Sequence, residues 1–473
     1  MQALEARLRW ELEVLKYPHR PWVLRPEHLP PPPAAAYEVV IVGGGQSGLA
    51  LCFALRREGI ERILVLDAAP QGQAGPWTTF ARMPTLRTPK HIAGPDCGVP
   101  SLTPRAWYEA RYGAEAWEEL RYIPRADWAA YLAWYEQVLA LPVRHETRVG
   151  AITWDEGQRM FRLPYHDKSG GSAVYGRKVV LATGIDGSGA WQVPEFIRSA
   201  LPKERYHHTN EAIDFSRLHG KTIAVLGAGA SAFDNAIMAC QQGATKVDLF
   251  FRRDDLVKIN PYRWAEYVGF LKHHADLPAD EDKWAFIHHM VLLGQLPPPA
   301  TLRAAEACRQ FTMHPGSHWN GLGLEGGRIK IASNRASYFC DHLIVGTGFV
   351  TDLQLRPELS ELCSSIALWQ DRFTPSLGTG GEDLLRHPYL SSGFSFCEKT
   401  PGKAPYLQNL FNYNFGSLLS NGYGGATITG MKYSLRRLVD EITRQFYLEA
   451  QGQHLQSLYD YKDEDRDVYQ PRA

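Results

Sequence analysis

In VVIVGGGQSGLALCFALRREGIERILVLD, residues 39–67, Gly43, Gly45 and Gly48 form the pattern GxGxxG between a β-rich run and an apolar, helix-patterned stretch. Each glycine has its own task. Gly43 permits a tight turn off the strand, Gly45 lets backbone approach a pyrophosphate, and Gly48 lets the helix pack closely on the sheet. The phosphates then lie at the positive end of the helix, beside Gln46 and Ser47. A second β-rich run ends in Asp67. Its spacing from the glycines suits a carboxylate that accepts hydrogen bonds from ribose hydroxyls.

The same grammar returns in TIAVLGAGASAFDNAIMACQQGATKVDLFFRR. Gly227, Gly229 and Ala232 take the three glycine positions, alanine being an accepted third member, and Ser231 lies at the start of the helix. Where the first unit has Asp67, the second has Arg252, followed by Arg253. A guanidinium suits the 2′-phosphate of NADP, which a carboxylate would repel. This reading assigns NADPH to the second unit.

Two dinucleotide units in one chain can pass a hydride from one cofactor to the other, and FAD is the usual relay because it accepts hydride and reacts with oxygen. FAD is therefore expected in the first unit. Two apolar runs that end in Thr-Gly, VVLATG at 179–184 and LIVGTGF at 343–349, read as crossings between lobes. They place Thr183, Gly184, Gly348 and Phe349 beside the cofactors.

These residues need a scaffold of more than one core, and 473 residues suffice for two or three domains. The pattern predicts an α/β fold with two Rossmann-like dinucleotide-binding domains and a helical insertion in the second. Residues 1–36 read as an N-terminal helix and a proline linker. Residues 37–215 form the first part of an FAD-binding domain, and 216–346 an NADPH-binding domain with the insertion at 254–320. Residues 347–473 return to the FAD-binding domain. The 51 basic and 51 acidic side chains balance, which argues against nucleic acid as a partner. No apolar run is long enough for a bilayer, and the first residues lack the apolar core of a signal peptide, so the cytoplasm is the expected compartment. None of the seven cysteines forms CxxC. His273, His274, His288, His289, His314 and His318 cluster in sequence without HExxH or spaced carboxylates, so no metal is expected.

The two glycine motifs, the Thr-Gly segments and their order resemble the class B flavoprotein monooxygenases, from about residue 37 to about 438. Gly75-Pro76-Trp77 resembles a family segment whose Trp packs near the flavin. Arg82-Met83-Pro84-Thr85-Leu86-Arg87 resembles the stretch beside the flavin ring, and His208-Thr209 part of the family's linker fingerprint. The stretch LRTPK carries neither the Asp of the Baeyer–Villiger branch nor the Asn of the flavin-containing branch. Asn260 resembles an Asn with which N-hydroxylating members hold NADP and substrate. Asn412, Asn414 and Asn421 lie in a segment similar to the family's return toward the flavin.

The resemblance implies that NADPH reduces FAD, that the flavin captures oxygen as a hydroperoxide, and that one oxygen atom passes to a small organic substrate. The acceptor would be nitrogen, sulfur or a carbonyl carbon. Arg87, Asn260 and Asn414 are the implied catalytic residues. A reductase or oxidase that moves electrons without oxygen insertion is the alternative.

Overall fold

The computed structural model describes residues 1–91, 94–295, 297–375 and 380–462. Helix α1 (Gln2–Val14) buries Leu8 in the core of the first lobe, and Glu11 Oε2 accepts the Ser101 N–H at 2.9 Å. The helix is thus a packed part of that lobe. Among the described residues no helix is long and apolar enough to cross a membrane.

The first lobe starts with β1 (Ala36–Val42), α2 (Gln46–Arg57) and β2 (Ile63–Leu66). Val39, Val40 and Ile41 are fully buried, as expected for a parallel strand covered on both faces. β1 pairs in parallel with β2, Val39 opposite Ile63 and Val42 opposite Leu66. On its other side lies β3 (Gly170–Leu181), also parallel, with Val42 opposite Leu181. The segment Leu410–Asn412 adds a further parallel strand to β3, so the chain returns to this sheet near its end.

The second lobe is a five-stranded sheet. Its strands are β4 (Tyr206–His208), β5 (Thr222–Leu226), β6 (Lys246–Phe250), β7 (Phe311–His314) and β8 (His342–Val345), in the spatial order β7-β6-β5-β8-β4. Helix α3 (Ala230–Gln241) connects β5 to β6. All neighbouring pairs are parallel. Helices occupy much of the stretch between β6 and β7, from Pro261 to Glu306. The helical stretch therefore ends before residue 320, because Phe311–His314 joins the parallel sheet. The hairpin strands Trp319–Glu325, Arg328–Ser333 and Ser337–Cys340 then form a separate antiparallel sheet.

Candidate active site between the lobes

The two glycine turns are built alike. Gly43 has φ +110°, and a Cβ on it would meet Ala182 O at 2.4 Å. Gly227 has φ +135°, and a Cβ there would meet Gly346 O at 2.3 Å. Both positions combine a left-handed backbone with a close neighbouring carbonyl, so only glycine fits. A Cβ on Gly48 would stand 1.9 Å from Gly43 O, whereas one on Gly45 or Gly229 would meet nothing within 4 Å. The first and third positions thus serve packing, and the second faces open space. Ala232 fills the third position of the second turn, its Cβ 2.8 Å from where one on Gly346 would lie.

A cavity of about 680 Å³ opens over the first turn. Gly43, Gly45, Gln46, Ser47, Asp67, Trp77, Arg87, Thr183 and Gly184 line it, as do Ser231, Asp234 and Asn235 of the second lobe. Asp67 is buried; its Oδ2 accepts the Gly44 N–H at 2.5 Å and its Oδ1 the Ala69 N–H at 2.7 Å. An ionised carboxylate has further acceptor sites to offer a ribose. Trp128 Nε1 donates to Gln46 Oε1 at 3.3 Å, and Trp77 meets Trp128 edge-on at 6.3 Å. Ser47 Oγ donates to Gly425 O at 2.8 Å, which ties the helix start to the returning C-terminal segment.

The loop that carries Arg82 and Arg87 is stitched to the second lobe. Arg82 donates to the carbonyls of Phe80, Thr209 and Glu211, the last at 2.7 Å. Arg87 Nη2 lies 2.6 Å from Asp234 Oδ2. Asp234 is 5% exposed. Its burial pushes the carboxyl above the usual range, and Arg87 pulls it partly back. Asp234 and Asn235 belong to the second glycine motif but are not among its fingerprint positions. They follow Ser231 by three and four positions on α3, so the three share one helix face. That periodicity was the available signal.

The other expected residues stand outside the cavity lining. Asn414 is fully buried; its Nδ2 donates to Asn412 Oδ1 at 2.7 Å and to Thr183 Oγ1 at 3.1 Å. Its Oδ1 accepts Ser188 Oγ at 2.9 Å and the Gly416 N–H at 2.8 Å. With its hydrogen-bonding capacity filled by protein, Asn414 positions Thr183 rather than facing the cavity. Asn260 is exposed and caps the short helix Pro261–Trp264, its Oδ1 accepting the Tyr262 N–H at 3.1 Å. Gly348 and Phe349 lie at the crossing, where Phe349–Thr351 pairs with Gly189–Trp191. Phe349 packs edge-on against Phe415 at 5.0 Å. Arg252 is exposed beyond β6, and Arg253 donates to the carbonyls of Leu292 and Leu293.

Several expected histidines bind protein groups. His314 Nε2 lies 2.7 Å from Asp248 Oδ1, and His273 Nδ1 2.9 Å from Asp276 Oδ2. Among the described residues no three His, Cys, Asp or Glu side chains converge as metal ligands.

Over 446 residues the chain is 41% identical to the FAD-dependent urate hydroxylase of Xanthomonas campestris pv. campestris, covering 94% of this chain and 93% of that protein. The chain belongs to the class B flavoprotein monooxygenase family. Residues 40–266 of this flavoprotein match the pyridine nucleotide-disulphide oxidoreductase family. Its fold is shared with the Kutzneria sp. 744 ornithine N-hydroxylase, solved with reduced FAD, NADP+ and L-ornithine, at 16% identity and a TM-score of 0.68. The match covers 87% of this chain and 99% of that one. The bacillithiol disulfide reductase of Bacillus cereus has a similar fold, at 15% identity and a TM-score of 0.56, with coverage of 87% and 99%.

Proposed function

We propose that the chain is an FAD- and NADPH-dependent monooxygenase that transfers one atom of molecular oxygen to a small organic substrate, with urate the first to test. The observation that carries this reading is the cavity that both lobes line, with the Gly45 cradle on one side and Ser231, Asp234 and Asn235 on the other. The cradle fits FAD: backbone at Gly45 is open, and Asp67 has acceptor capacity for a ribose. Bound there, FAD supplies hydride acceptance and oxygen activation.

The chain's own residues do the rest. Gly43 and Gly48 hold the turn, and Trp77 and Trp128 fix Gln46 beside the phosphates. Gly229 offers NADPH the same open backbone at the start of α3, and Arg252 stands exposed for the 2′-phosphate. The Arg82 and Arg87 contacts tie one lobe to the other across the wall of the cavity. The 41% identical relative, a urate hydroxylase by name, points to an electron-rich nitrogen heterocycle, with carbon hydroxylation added to the oxygenations considered. The missing CxxC counts against a dithiol reductase.

The test is purified, FAD-loaded protein supplied with NADPH, air and urate. Consumption of urate in step with NADPH supports the assignment. NADPH oxidation that is indifferent to urate and leaves it intact rejects urate as substrate.

A further inference from the structure

Two buried polar atoms of the inter-lobe cavity have no protein partner among the described residues: Arg87 Nε and Asn235 Oδ1. Asn235 is 1% exposed, and both residues line the cavity. A buried polar group left without a partner costs free energy, and on a residue of the cavity wall a ligand can complete its hydrogen bonding.

The orientation of each is fixed. Asn235 Nδ2 donates to Ser231 O at 2.8 Å, and a carbonyl accepts only from the amide nitrogen. The amide is therefore held in one sense, with its oxygen as the group left over. Arg87 spends Nη2 on Asp234 Oδ2 at 2.6 Å, which anchors the guanidinium and leaves the Nε–H as a spare donor. Of the buried atoms of these two side chains, one donor and one acceptor are left unpaired, on residues contributed by opposite lobes.

We infer that Arg87 Nε and Asn235 Oδ1 together bind a planar amide, the guanidinium donating to its carbonyl oxygen and the asparagine oxygen accepting its N–H. A site built to pair both groups rejects analogues that lack either, because its own polar atoms would then stay unpaired. Three ligands of the proposed reaction carry this group: the pyrimidinedione edge of the flavin, the ring lactams of urate and the carboxamide of nicotinamide, of which the last two are the ones proposed. This inference rests on the functional reading above for its choice of ligands. Both residues share their cavity with the Gly45 turn, so loss of FAD from both folded variants would place the pair on the flavin ring and overturn its assignment to either other ligand.

The experiment uses FAD-loaded Asn235→Leu, which keeps the side-chain size and removes the acceptor. Its companion is Arg87→Lys, which keeps the ion pair with Asp234 and removes Nε. Anaerobic flavin reduction at graded NADPH and steady-state turnover at graded urate are both read, with FAD content and melting temperature as folding controls. Each variant is expected to weaken one ligand about tenfold or more while retaining FAD. A raised KM for urate with unchanged NADPH reduction assigns the pair to the ring lactam. A weakened NADPH dependence of reduction with an unchanged KM for urate assigns it to the carboxamide. If Asn235→Leu does not fold, Arg87→Lys carries the same reading. If the wild type does not turn over urate, the substrate assignment fails, and the NADPH arm alone decides the pair. Wild-type constants for both ligands in the FAD-loaded variants would overturn the inference.

Discussion

Arg87 Nη2 and Asp234 Oδ2 stand 2.6 Å apart, and their side chains come from different lobes, 147 positions apart in sequence. Arg87 belongs to the loop over the first glycine turn, and Asp234 to the second turn of α3. A charge pair on the wall of the cavity thus fixes how one lobe meets the other. With FAD and NADPH bound as proposed, that relation would set the distance a hydride must cross.

Asp234→Asn is expected to retain FAD, since Asp234 makes no part of the first cradle. It is expected to slow flavin reduction by NADPH by about tenfold or more, as Å-scale misplacement of reacting groups does. Anaerobic stopped-flow at the flavin band measures it. Reduction at the wild-type rate would mean that the pair does not set the lobe relation.

The pair has a pH signature. Burial raises the Asp234 carboxyl above its ordinary value of 3.8, with Arg87 opposing. A raised carboxyl favours the protonated form in the folded state. Its contribution to stability is full below the ordinary value and is lost as pH rises through the raised one. The ionised partner of Arg87 exists only above that raised value. Flavin reduction is therefore expected to show an acid limb above the usual carboxylate range, absent from Asp234→Asn. A pH series of the reduction rate checks both curves.

The glycines of the first turn separate packing from ligand contact. Gly45 has φ −75°, and a Cβ there meets no protein atom within 4 Å. Gly45→Ala is expected to melt like the wild type as apoprotein and to lose FAD affinity by about tenfold or more, since the new methyl occupies the cradle. Gly48→Ala places a methyl 1.9 Å from Gly43 O and is expected to lower stability by about 1–3 kcal/mol before any ligand is added. Thermal melts with and without FAD distinguish the two.

Arg252 is the test of cofactor choice. Arg252→Ala is expected to reduce kcat/KM for NADPH by about tenfold, the worth of a charge-assisted contact to phosphate, and to leave NADH use unchanged. Parallel kinetics with both nucleotides give the ratio.

The glycine turns were legible because each is a local device, a strand, a turn and a helix within some thirty residues, and its chemistry is written in the missing side chains. Asp234 and Asn235 stood inside the second motif in plain sight. Their meaning depends on a loop that folding brings from the other lobe, and no local pattern announces such a partner. Asn260 and Asn414 stand at suggestive places along the chain, but folding gives them other partners. The first serves as a helix cap and the second as the centre of a buried hydrogen-bond network. The helical stretch after β6 was readable from its aromatic and alanine-rich text. Its end was not, because Phe311–His314 is a strand by virtue of pairing with β6.

The central claim is that this chain inserts oxygen rather than merely passing electrons to it. The most direct measurement supplies ¹⁸O₂ to FAD-loaded protein with NADPH and urate, and weighs the product by mass spectrometry against NADPH consumed. One labelled oxygen atom per product molecule and one NADPH per product are expected. Unlabelled, unchanged urate with hydrogen peroxide formed in step with NADPH would contradict it.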